Sequence, residues 1–168
     1  MAFPRLAAGL LVGVVAAAAA YLVWSTQGLP LVVEPRFGTG GAAGHAVPRG
    51  AYLWMMLGLV AGVPLLVAVA IGALAAGAGR APFVPDRDYW FAPVRRAASA
   101  ASMARFGCGL GVLIALFVVA VHAMIVAAHD TVPPRLSVVV LFELGLFWAA
   151  AVAGWLIALR LRFARPPR

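Results

Sequence analysis

Residues 106–128, from Phe106 to Ala128, read FGCGLGVLIALFVVAVHAMIVAA and contain no charged side chain. A helix needs about 20 mostly apolar residues, each adding about 1.5 Å, to cross about 30 Å of hydrocarbon. This stretch is long enough. Residues 3–25, 51–79 and 136–159 are of the same kind; within all four the only charges are Arg5, at the edge of the first, and Glu143, inside the fourth. The predicted fold is all-α: one membrane domain over residues 1–168 with four transmembrane helices.

Composition agrees. The chain has 168 residues, 65% of them hydrophobic, where soluble domains hold about 45–50%. The mean hydropathy is +1.03. A formal charge of +8 would suggest nucleic acid in a soluble chain. In a membrane protein it reads as arginine placed on one side of the bilayer, and nucleic acid is excluded as a partner. All 13 basic residues are arginine, with no lysine or asparagine, a bias that points to a GC-rich bacterial genome. Cys108 is the one cysteine, so an internal disulfide and a multi-cysteine metal site are excluded.

The first span has signal-peptide features, with Arg5 ahead of an apolar core and the small residues Ala16 to Ala20. Tyr21-Leu22-Val23-Trp24 prolongs the run, so an uncleaved helix is expected. Arginine counts set the orientation. Arg5, Arg80, Arg87, Arg95, Arg96, Arg105, Arg160, Arg162, Arg165 and Arg168 share one side, and Arg36, Arg49 and Arg135 the other. The excess predicts both termini and the loop between spans two and three in the cytoplasm, an N-in/C-in topology in a bacterial inner membrane.

The outer loop, residues 27–50, is rich in proline and glycine, which favour turns. Gly38, Gly40, Gly41 and Gly44 lack the Gly-Lys-Ser/Thr of a phosphate loop, so no nucleotide site is expected. The inner loop carries PDRDYWFAPVRR, Pro85 to Arg96. Pro93 suits a first helical turn, so the third helix is expected to begin near it, with a bend or close-packing point at Gly107, Gly109 and Gly111. Tyr89 and Trp90 match the interfacial aromatic belt, Arg95 and Arg96 suit anionic headgroups, and Asp86 and Asp88 are within reach of those arginines and Arg87. Anchoring is favoured over catalysis for this loop. The glycine pairs Gly9/Gly13, Gly58/Gly62 and Gly107/Gly111 permit close helix contacts.

Glu143 is the residue hydropathy does not explain. A carboxylate in a membrane helix is costly and marks a functional hypothesis. His122, at a matching depth in the third span, is its expected partner. The pair could share a proton or bind a ligand, bind a metal with help from His129 or His45, or tie two helices together. His129 lies two turns from His122, too far for both to hold one metal without a bend, and no metal or cofactor is expected.

Leu29-Pro30, Arg36-Phe37, Gly41, Arg49 and Tyr52 together resemble the bacterial membrane domain of unknown function shared with the N-terminal part of Sdp-type immunity proteins. Residues 85–96 are similar to the R-D-Y-W-x-A-P-x-R-R signature of its small stand-alone members, and Pro133-Pro134-Arg135-Leu136 also fits. Arg36 stands where that family has a histidine, and Ala43-Gly44-His45 replaces its P-N-G turn, so a role resting on that histidine does not carry over. The resemblance implies a four-helix inner-membrane protein whose relatives protect against a membrane-active toxin and sequester a regulator. It does not imply an enzyme.

The expected function is therefore non-enzymatic, through contacts with a peptide, a lipid or another membrane protein. Pro30, Arg36, Phe37 and His45 would meet an outer ligand together with His122 and Glu143. Two alternatives stand: a small oligomeric proton-coupled transporter using His122 and Glu143, and a membrane enzyme at Asp86 and Asp88.

Overall fold

The computed structural model describes residues 3–35, 46–77, 84–130 and 136–164. Arg36, Phe37 and His45 lie outside the described residues. Four long helices carry the fold: α1 Phe3–Thr26, α2 Arg49–Ala76, α4 Arg96–Ala128 and α5 Val138–Arg162, with a single-turn α3 at Arg87–Trp90. All four long helices are long and apolar enough to cross a membrane, as the hydropathy pattern predicted.

Each of α1, α2 and α4 buries one row of side chains. On α1 the row is Leu11, Val15, Ala18 and Leu22; on α2 it is Tyr52, Met56, Val60 and Pro64; on α4 it runs through Gly107, Gly111, Ala115, Val118, His122 and Ile125. Steps of three and four keep these residues on one face, and rows of that kind interlock between helices. The remaining faces are apolar as well: Trp54 is 75% exposed and Leu6 69% exposed. In a chain that spans a bilayer such faces meet lipid.

Glycine sets the closeness of α4 to α2. A Cβ on Gly107 would stand 3.1 Å from Ile71 Cβ and 3.2 Å from the Ala68 carbonyl oxygen; one on Gly111 would stand 2.9 Å from the Pro64 carbonyl oxygen. Close packing thus explains this pair, within an α4 that is unbroken from Arg96 to Ala128. A Cβ on Gly9, Gly13, Gly58 or Gly62 would meet nothing within 4 Å, so the spacing of these glycines serves no contact among the described residues. Helix α4 begins at Arg96, three residues after Pro93, and a turn in which the Arg95 and Arg96 amides donate to the Ala92 carbonyl leads into it.

Two features depart from a purely helical reading. Val32–Val33 (β1) and Val47–Pro48 (β2) form a short antiparallel pair. The β-branched valines suit extended backbone, and Pro48, which has no N–H, is tolerated at a strand edge. The second is the standing of α5. Over 25 residues it buries only Leu159, and it meets α4 through Trp155 Nε1, which donates to the Phe106 carbonyl at 3.0 Å, and through Trp148, whose ring lies 5.1 Å from Phe117. Its anchor is a second apolar cluster of Ala75, Val84, Met103, Leu159 and Phe163.

Candidate functional site

The polar centre of the bundle is His122, fully buried in the last two turns of α4. Its partners come from two other helices. Nε2 lies 2.7 Å from Ser25 Oγ, at the end of α1, and Nδ1 lies 2.7 Å from Tyr52 Oη, at the start of α2. The connectivity is directional. Ser25 Oγ also lies 2.6 Å from the Tyr21 carbonyl oxygen, which only accepts, so the serine proton goes there. Ser25 must then accept from Nε2–H, leaving Nδ1 to accept the Tyr52 O–H. Two rings enclose the imidazole: Tyr52 stacks at 5.7 Å and 20°, and Tyr21 presents an edge at 5.9 Å and 90°.

Every donor and acceptor of the imidazole is satisfied, so this arrangement fixes one tautomer of a neutral ring. The chain of donors ends on a backbone carbonyl, which has no proton to pass on. Chemically the cluster is a tie that joins α1, α2 and α4 at one end, the histidine end, of the bundle.

The expected His122–Glu143 pair is not formed. Both imidazole nitrogens are engaged elsewhere, and Glu143 lies on an exposed face of α5. Depth along the axes matched, but depth does not fix which way a side chain faces. The true partners carried the same depth signal: Ser25 is the penultimate residue of α1, and Tyr52 lies within the first turn of α2.

His129 caps the same end. Its Nδ1 donates to the Ile125 carbonyl at 2.7 Å, and its Nε2 accepts the Glu34 amide at 3.2 Å, strapping the chain beyond β1 to the end of α4. Pro30 is exposed nearby in sequence. Among the described residues no group of three or more His, Cys, Asp or Glu side chains could hold a metal.

At the opposite, arginine end, the loop between α2 and α4 is anchored through its rings. Trp90 Nε1 donates to the Phe163 carbonyl at 2.7 Å, Ser99 Oγ donates to the Trp90 carbonyl at 2.7 Å, and Trp90 meets Phe163 edge-on at 5.5 Å. The expected bridges from Asp86 and Asp88 to Arg95 and Arg96 give way to other contacts. Arg95 stacks over Tyr89 at 4.1 Å, and Arg96 Nη2 donates to the Ala76 and Gly77 carbonyls at 3.1 and 2.9 Å. Asp86, Arg87 and Asp88 are exposed around the first turn of α3, with Asp86 in the left-handed region at φ 50°, a conformation aspartate tolerates better than most residues. No family model matches the chain, and neither a curated protein nor a solved structure matches it; the immunity-protein resemblance thus rests on the sequence signature alone.

Proposed function

We propose that the protein is a non-enzymatic, N-in/C-in protein of a bacterial inner membrane that works by docking a helix of another membrane protein against α5. Glu143 carries this reading. It lies about 7.5 Å along the axis from the start of α5, is exposed, and forms no hydrogen bond or ion pair with a described residue. A carboxylate turned toward hydrocarbon is costly unless something pairs with it.

The face around Glu143 suits a helix. Glu143, Phe147, Ala150, Gly154 and Ile157 recur at steps of four and three, and all are exposed. Small residues at Ala150 and Gly154 let a second backbone approach closely, and a Cβ on Gly154 would meet nothing within 4 Å. The occupant is a membrane-spanning helix bearing a cation or strong donor at the depth of Glu143. A second copy of this chain would bring Arg49, the described arginine at this end, whose Nη1 donates to the Gln27 and Leu29 carbonyls. On the opposite flank of α5 an apolar groove of about 450 Å³, lined by Ile114, Phe117, Trp148 and Val152 among others, opens toward α4.

A photoactivatable residue at Ala150, activated in native membranes, tests the reading. It is expected to yield a heterologous adduct that is lost in Glu143→Ala and kept in Leu10→Ala, a change on an exposed face of α1. An adduct indifferent to Glu143→Ala sinks the proposal; an adduct of two copies of this chain replaces the partner with self-association. In the immunity-like version, deleting the gene sensitises cells to a membrane-active toxin.

A further inference from the structure

At the arginine end two cations meet one buried hydroxyl. Ser102, on α4, is 1% exposed. Arg105 Nη2, on the same helix, donates to its Oγ at 3.0 Å, and Arg162 Nη2, at the end of α5, donates to the same atom at 3.3 Å. The two guanidinium nitrogens therefore stand no more than about 6 Å apart, where like charges repel. A hydroxyl oxygen has lone pairs for both donors but no charge to offset them. Neither arginine forms an ion pair with a described carboxylate, and each guanidinium fork keeps further N–H groups beyond the one that reaches Ser102.

The surroundings are built. The Trp90 and Phe163 rings each lie 5.6 Å from the Arg162 guanidinium carbon, and the Trp90 indole is held by the Phe163 carbonyl. Height also fits. At the helical rise Arg105 lies about 34 Å from the far end of α4 and Arg162 about 36 Å from the far end of α5, both just past a hydrocarbon layer of about 30 Å. Both guanidiniums thus reach the headgroup layer.

We propose that Arg105, Ser102 and Arg162 form a binding site for a phosphate ester, filled by the headgroup phosphate of an anionic phospholipid. A phosphate accepts from two arginine forks at once and supplies the missing negative charge. The Trp90 ring flanks the lipid where headgroup gives way to acyl chain. This site goes beyond the docking of a protein at Glu143 and stands whether or not that docking occurs, since it lies at the other end of α5.

The test uses the full chain in nanodiscs of phosphatidylcholine with and without phosphatidylglycerol, released for native mass spectrometry. The wild type is expected to retain one phosphatidylglycerol in preference to phosphatidylcholine. Arg162→Gln, at an exposed helix end, and Arg105→Gln should each lower that retention by about tenfold while the helical circular dichroism of each variant stays that of the wild type. Arg160→Gln, which leaves Ser102 untouched, should keep it. Equal retention in Arg162→Gln and Arg160→Gln means diffuse attraction to a basic face and overturns the site. Displacement of the bound lipid by millimolar inorganic phosphate, with no preference for phosphatidylglycerol, would overturn the lipid as the source and assign the site to free phosphate.

Discussion

At the scale of single residues, His122 shows how a polar group is accommodated in an oily bundle. Three helices contribute one hydrogen-bonding side chain each to a chain that leaves the imidazole nothing unsatisfied. Such an interhelical bond contributes about 1 kcal/mol, and breaking it leaves a buried partner unpaired. Tyr52→Phe and Ser25→Ala are each expected to destabilise the folded protein by about 1 kcal/mol, with a double variant less costly than the sum because the two bonds share one ring. Detergent unfolding monitored by circular dichroism checks this; a Tyr52→Phe protein as stable as wild type would break the assignment. Sequence made His122 and Glu143 visible as exceptions to hydropathy. It left their partners open, because residues at equal depth on two helices can face in opposite directions.

Among the elements, the helices were legible and their faces were not. Length and apolar content mark out α1, α2, α4 and α5, since a membrane span declares itself by composition. These helices are apolar all round, however, so no amphipathic stripe tells the buried face from the lipid face. The glycine pairs illustrate the limit. All three share one spacing, yet only Gly107 and Gly111 pack, against α2. Gly111→Ala should drive a methyl against the Pro64 carbonyl and cost about 1–3 kcal/mol, whereas Gly62→Ala should be neutral or stabilise by up to about 1 kcal/mol. Equal thermal stability of the two variants would contradict the packing. The short β1–β2 pair was hidden for a different reason: two residues per strand are too few for alternation to register.

For the whole molecule, the asymmetry of arginine is the feature that sequence conveys best, because it needs no knowledge of packing. It predicts that a membrane-impermeant maleimide labels a cysteine at Leu31 in intact cells and one at Val94 only after permeabilisation, each in a Cys108→Ala background. Both positions are exposed, at 76% and 96%, so access to the side chain does not limit the reaction. The reverse pattern would invert the topology. The same asymmetry concentrates the cations that converge on Ser102, a convergence no linear reading shows because Arg105 and Arg162 come from different helices.

The attachment of α5 also has a mechanical side. Its fastenings run from near its middle to just past its C-terminal end, at Trp148, Trp155, Leu159, Arg162 and Phe163, while residues 138–143 are exposed throughout. A force applied at the C-terminus loads these fastenings first, and behind them nothing among the described residues resists. Single-molecule pulling should extract α5 in one rupture followed by slack release of its first turns, at a lower force than α4, which is gripped along its length by α1 and α2. Several evenly spaced ruptures along α5 would contradict this. A helix hung in this way behaves as a latch, with its pivot at the arginine end and its free arm at the end that carries Glu143.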